Sequence, residues 1–116
     1  MPQPGQPNPL VQGTLDMLVL KTLALEPMHG YGISTRLTRI SRGVFQVNPG
    51  SLFPAFRRLE RNGLIKPEWR DTENHRRAKY YALTARGRNA LKSQTDAWET
   101  QAGAIARILK ATPGEL

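Results

Sequence analysis

The chain has 116 residues, with 17 Lys and Arg against nine Asp and Glu, a formal charge of +8, and no cysteine. That length holds one hydrophobic core, and the missing cysteines exclude a disulfide framework, a thiolate zinc site and a thiol nucleophile. Apolar runs such as Met17 to Leu20 fall far short of a membrane span, and no charged-then-apolar leader opens the chain, so a soluble cytoplasmic protein is expected.

Residues 1–9 carry Pro at positions 2, 4, 7 and 9 and read as an extended, disordered arm. Thr14 can cap a first helix that runs to about Glu26 and ends at Pro27. Its inner face holds Leu15, Leu18, Val19, Thr22 and Leu23, and Leu20 and Leu25 widen it. A second helix after Gly30 turns Ile33, Leu37, Ile40 and then Val44 inward. Arg36, Arg39 and Arg42 lie off that stripe, and Gly43 stops the helix.

The third helix is punctuated most clearly. Asn48 is a good N-cap, and Pro49 suits the first helical position because the N–H it lacks has no helical partner there. Leu52, Ala55, Phe56 and Leu59 make its core stripe, and Asn62-Gly63 supplies a left-handed stop that folds Leu64 back. At about 100° per residue, Pro54, Arg57 and Arg61 project opposite the stripe, with Ser51 and Arg58 on its flank.

Residues 64–70 and 78–83 read as two strands, the first an edge strand because of Pro67. The polar connection between them ends in His75-Arg76-Arg77, and such a hairpin must pack on the helices to be stable. Thr84 then caps a long final helix over residues 84–111, with residues 112–116 as a tail. Leu91, Trp98 and Ile105 recur every seven residues there, and Thr95, Ala102 and Leu109 follow four positions after each. Ile108 adds to that seam, which a domain of this size cannot bury alone.

The basic residues are not spread evenly. Between Arg36 and Lys92 stand 14 of them against four acids, a local charge of +10 in a chain whose remainder is −2. A phosphate-facing surface segregates charge in this way, which points to a polyanion partner. Enzyme chemistry has little to stand on: Ser51 has no evident His and acid partners, and no phosphate-cradling glycine motif is present. Neither His29 nor His75 has metal-ligand spacing with another His, Asp or Glu, so no metal or cofactor is expected.

Three helices, a hairpin and a long helix, in that order, make a mainly α fold with a small β-hairpin wing. It is a winged helix-turn-helix over residues 10–83 with an appended dimerisation helix. The third helix can enter a major groove while Arg76, Arg77 and Lys79 at the hairpin tip touch neighbouring phosphates. A second copy would cover the Leu91, Trp98, Ile105, Ile108 and Leu109 seam, and a two-fold dimer matches a palindromic operator.

The sequence also resembles the PadR-type transcriptional regulators. The resemblance spans roughly Leu10 to Leu109 and begins with Gly13-Thr14-Leu15-Asp16 and His29-Gly30-Tyr31-Gly32-Ile33. It continues through Asn48 to Pro54, Arg58-Leu59-Glu60, Gly63-Leu64-Ile65, Arg76-Arg77-Ala78-Lys79-Tyr80-Tyr81, Leu83-Thr84 and Gly87. The single C-terminal helix is similar to that of the family's small subclass. The resemblance implies a homodimeric bacterial repressor on a pseudo-palindromic operator of double-stranded DNA. Carried over by position, it assigns DNA contact to Ser51, Pro54, Arg57, Arg58, Arg77 and Lys79, and the basic pattern adds Arg61 and Arg76. Where relatives commonly have Tyr, Phe53 stands here, so a hydroxyl contact to phosphate is lost and the ring is free to flank the core.

Other readings compete at several positions. His29 reads as a capping or packing residue, and His75 as a phosphate contact or a solvated loop residue. Trp98 either fills the dimer seam or lines a pocket for a small aromatic or hydrophobic effector, as last-helix aromatics of relatives can. Tyr80 points to phosphate or covers the hairpin. For the whole chain the competing function is a winged-helix protein–protein assembly module without its own operator, which would need an exposed apolar patch where the third helix shows arginine. Nonspecific coating of the chromosome would share the charge without needing the dimer.

Overall fold

The structure, a computed structural model, describes residues 13–74 and 76–116; the expected arm at residues 1–9 and the loop residue His75 lie outside the described residues. Helix α1 (Leu15–Leu25) leads through a two-residue strand β1 (Met28–His29) into α2 (Gly30–Ile40) and α3 (Pro49–Arg61). A hairpin of β2 (Ile65–Asp71) and β3 (Arg77–Leu83) follows, then α4 (Ala85–Leu109) and a 3-10 turn at Pro113–Glu115. This is the expected winged helix-turn-helix with a long last helix.

Side chains of the first three helices and of the hairpin meet in the core. Val19, Leu20 and Leu23 of α1, Ile33 and Leu37 of α2, and Leu52, Phe56 and Leu59 of α3 pack with Ile65, Tyr81 and Leu83 of the sheet. Phe56 lies against Tyr81 with ring centroids 4.7 Å apart, which ties the third helix directly to the hairpin. The α3 stripe is buried as its spacing predicts.

Three expected core residues are exposed. Leu25 is 59 % exposed because at 100° per residue it falls on the far side of α1 from Val19 and Leu23. Ile40, the last residue of α2, is 61 % exposed although it lies seven positions after buried Ile33. Val44 follows Arg42 and Gly43, whose positive φ values of 54° and 80° turn the chain out of the helix.

The sheet has three strands rather than two, in the order β1-β3-β2. Met28 pairs with Tyr81 and His29 with Tyr80, so β3 is central and β2, carrying Pro67, lies on the edge as expected. A two-residue strand has no periodicity of its own; only its partner reveals it. His29 also ends this strand as the N-cap of α2, its Nδ1 accepting from the Gly32 N–H at 3.0 Å and its ring edge-on to Tyr80. That is the structural role expected of it. Thr14 occupies the N-cap position of α1, but no side-chain capping hydrogen bond forms there; its carbonyl accepts from Leu18 N–H at 3.0 Å.

The start of α4 is locked to the end of α3. Thr84 Oγ1 accepts from the Gly87 N–H at 3.0 Å and donates to the Gly63 carbonyl at 2.7 Å. Gly87 is buried against the Leu64 carbonyl, where any Cβ would collide with that oxygen and come within 2.8 Å of Leu83 Cδ1. The left-handed stop reads as expected: Gly63 has φ 73°, and the Leu64 N–H reaches back to Leu59 O at 2.9 Å.

Candidate nucleic-acid interface

Helix α3 is fixed at its start by a cap and along its inner face by the core. Asn48 Oδ1 accepts from the Gly50 N–H at 2.8 Å, which makes the expected cap, and four buried residues hold the inner face. Ser51, Pro54, Arg57 and Arg61 stand exposed on the other side. The Ser51 hydroxyl donates to the Asn48 carbonyl at 2.7 Å, so in this rotamer it presents lone pairs outward and can accept rather than donate.

Ion pairing separates the basic residues into two sets. Arg58 Nη2 lies 2.8 Å from Asp16 Oδ1 and its Nε 3.4 Å from Oδ2, clamping α3 to the first turn of α1. The hydrogen bond and the charge of that carboxylate hold the Arg58 pKa above its ordinary value. Its forked edge is therefore turned to Asp16. Lys79, expected at the hairpin tip, instead sits within β3, with Nζ 3.7 Å from Glu60 Oε1 of α3 and 5.4 Å from the Tyr81 ring centre. It bridges wing and helix because residues 77, 79, 81 and 83 share the strand face turned to α3.

Arg36 departs further from expectation. Rather than pointing outward, it folds over the end of α1, donating from Nη1 to the carbonyls of Thr22 (3.2 Å) and Glu26 (2.7 Å) and from Nη2 to the Glu26 carboxylate (3.4 Å). The Thr22 carbonyl also accepts from the Glu26 N–H at 3.3 Å, whereas the Glu26 carbonyl lies past the end of the helix, where a cation is favoured. Arg70 is paired too, with Glu68 at 2.8 Å, and covers the Tyr80 ring at 4.9 Å. Tyr80 is thus held between His29 and Arg70, covering the hairpin.

Among the described residues, Arg39, Arg42, Arg57, Arg61, Arg76 and Arg77 enter no ion pair. All six are exposed, on α2 and the turn after it, on α3, and at the wing. Arg77 lies over Trp69 of β2 at 5.6 Å, and Trp69 is itself 58 % exposed. The wing tip is closed by Thr72 N–H to Arg76 O at 2.7 Å. His75, the other expected tip contact, is outside the described residues.

Sequence reasoning passed over one part of this surface. Tyr31, Thr35 and Arg39 follow one another at four-residue steps along α2, and with Ser34, Thr38 and Pro49 they line a shallow groove of about 320 Å³ beside the start of α3. The four-residue spacing was the available signal. A helix that crosses the backbone ahead of a recognition helix presents such a polar stripe.

On α4 the seven-residue seam serves three different surroundings. Leu91 packs against the core of its own chain, while Trp98 lines a groove of about 400 Å³ between α4 and the start of α1. Gly13, Thr14, Met17 and Ile105 form its other walls. Ile105, Ile108 and Leu109 are exposed, the last two by 73 % and 79 %. No described helix is long and apolar enough to cross a membrane.

Comparison with known proteins agrees with this geometry. The family model described as "Transcriptional regulator PadR-like family" matches residues 19–93. A transcriptional regulator of Mycobacterium tuberculosis is 36 % identical over 81 residues, covering 70 % of this chain and 72 % of that one. A PadR family transcriptional regulator from Eggerthella lenta superposes with a TM-score of 0.74 at 31 % identity, covering 87 % of this chain and 86 % of that one. A transcriptional regulator from Clostridium thermocellum does so with a TM-score of 0.76 at 29 % identity, covering 85 % and 96 %.

Proposed function

Because this chain belongs to the PadR-like family of transcriptional regulators, whose members regulate by binding DNA, we propose that it acts in the cytoplasm as a homodimeric repressor of its own operator. Helix α3 enters the major groove, Arg57 and Arg61 face base edges or the flanking phosphates, and Arg76 and Arg77 hold the backbone beside the wing. Arg39 and Arg42 take the phosphates ahead of α3. Arg58 and Lys79 act mainly by fixing α3 against α1 and the wing. The single observation that carries this reading is the placement of charge: six exposed arginines without ion pairs (Arg39, Arg42, Arg57, Arg61, Arg76 and Arg77) stand on α2 and the turn after it, on α3 and at the wing, while three others, Arg86, Arg88 and Arg107, lie on α4.

The exposed Ile105, Ile108 and Leu109 are suited to a second copy, which would set two α3 helices about one turn of DNA apart. A small aromatic or hydrophobic effector has a place in the Trp98 groove, whose position against α1 lets occupancy change the angle of α4.

The testing experiment is a salt titration on an operator located by footprinting. If each subunit neutralises three to five phosphates, log affinity falls against log salt with a slope between roughly −5 and −9. A slope shallower than about −3 would mean few phosphates are held and would favour a protein-assembly module instead.

A further inference from the structure

We propose that Phe53 reads the C5-methyl group of a thymine, so that this chain prefers an operator with a methyl at one position per half-site. The inference rests on the placement of α3 in the major groove and names what that helix recognises there.

Phe53 is 51 % exposed, although it stands on a helix whose other outward residues are polar, Pro or Gly. Positions 53, 57 and 61 lie four apart, so the ring, Arg57 and Arg61 form one continuous ridge along α3. The ring occupies the N-terminal end of that ridge, the part of a recognition helix that meets base edges. It is also held in place: Phe56, itself buried, meets it edge to face with centroids 6.2 Å apart.

A phenyl ring has no hydrogen-bonding group. Pressed against a phosphate or against the N7, O6, N6 or N4 atoms of a base edge, it would strip water from polar atoms and return nothing. The one apolar group that the major groove offers is the C5-methyl of thymine. A 5-methylcytosine presents the same methyl at the same place, so the chemistry recognised is a C5-methylated pyrimidine, and the two sources are separable by experiment.

The duplex bound by the wild-type chain is first selected from random DNA. Each thymine of the selected site is then replaced singly by deoxyuridine, which removes only the methyl. One replacement per half-site is expected to weaken wild-type binding about three- to fivefold, the worth of one buried methyl. Phe53→Ala should bind the thymine and deoxyuridine duplexes equally, and Phe53→Leu should keep part of the preference. Placing 5-methylcytosine at the sensitive position should bind better than cytosine there. The proposal is overturned if no thymine responds in the wild-type chain, or if Phe53→Ala keeps the full methyl preference. Enrichment of no sequence at all would remove the DNA-binding reading itself, and that is known before any thymine is replaced.

Discussion

Replacing Gly87 by Ala puts a methyl group where the Leu64 carbonyl oxygen already lies, with Leu83 Cδ1 only 2.8 Å away. The oxygen cannot yield as a flexible side chain would, because it also accepts from Thr84 N–H at 3.1 Å. Overpacking of this kind costs about 1–3 kcal/mol, and a rigid backbone neighbour puts it at the upper end. Disturbing the Thr84 bond adds about 1 kcal/mol, while the better helix propensity of Ala returns about the same. The net loss is about 2–3 kcal/mol, which in a chain of this size lowers the melting temperature by roughly 8–12 °C. Gly103 is the control within the same helix. A Cβ there meets only the end of Arg107, at 3.6 Å, so Gly103→Ala should stabilise by up to about 1 kcal/mol. Thermal melts followed by circular dichroism read both. The opposite signs are the test: Gly87→Ala melting within about 2 °C of wild type would refute the claim that α4 is pinned to Leu64. The same lock sets the direction in which α4 leaves the DNA-binding unit. Gly87→Ala protein that remains folded should therefore lose more affinity for its operator than for random DNA.

Arg57→Ala should cost about 1–3 kcal/mol on the operator and less on random DNA if Arg57 reads a base, and equal losses in a paired titration would show that it only holds phosphate. Lys79→Ala should weaken operator binding more than random-DNA binding, because Lys79 fixes the wing against α3 through Glu60; equal losses on both DNAs would mean that it holds phosphate instead. Deleting residues 97–116 removes Trp98, Ile105, Ile108 and Leu109, and sedimentation should then find a monomer or an insoluble chain; a persistent dimer would place the interface elsewhere. Arg36→Met should lower stability by about 1 kcal/mol in urea unfolding, chiefly through the lost hydrogen bond to the Glu26 carbonyl, since Thr22 O keeps the Glu26 N–H. It should leave the salt slope of DNA binding unchanged, since Arg36 faces α1 rather than DNA; a slope reduced by about one contact would contradict this.

Some features of the molecule were fully legible in the order of residues. Helix α3 was, from its Asn48 cap to its Gly63 stop, because caps, Pro at the first position and a left-handed glycine act within a few residues of one another. Its outward arginines followed from helical geometry alone. The edge position of β2 followed from Pro67, which has no N–H to give to a sheet neighbour. The motif pieces in sequence order were enough to indicate the family, whose model matches residues 19–93.

What needed the tertiary structure was every decision made between elements. Strand β1 exists only because β3 lies beside it. Arg36, Arg58 and Lys79 looked like DNA-facing charges, but Glu26, Asp16 and Glu60 come to them from 10, 42 and 19 positions away. Those carboxylates are invisible to any local pattern. The seven-residue repeat of Leu91, Trp98 and Ile105 marks one stripe of α4, and folding divides it between the core, at Leu91, and an open groove against α1, at Trp98 and Ile105. Periodicity fixes which side of a helix a residue occupies, since backbone geometry repeats every 3.6 residues. What that side meets depends on where the other helices end, and α1 stops covering α4 before Ile108 and Leu109 are reached.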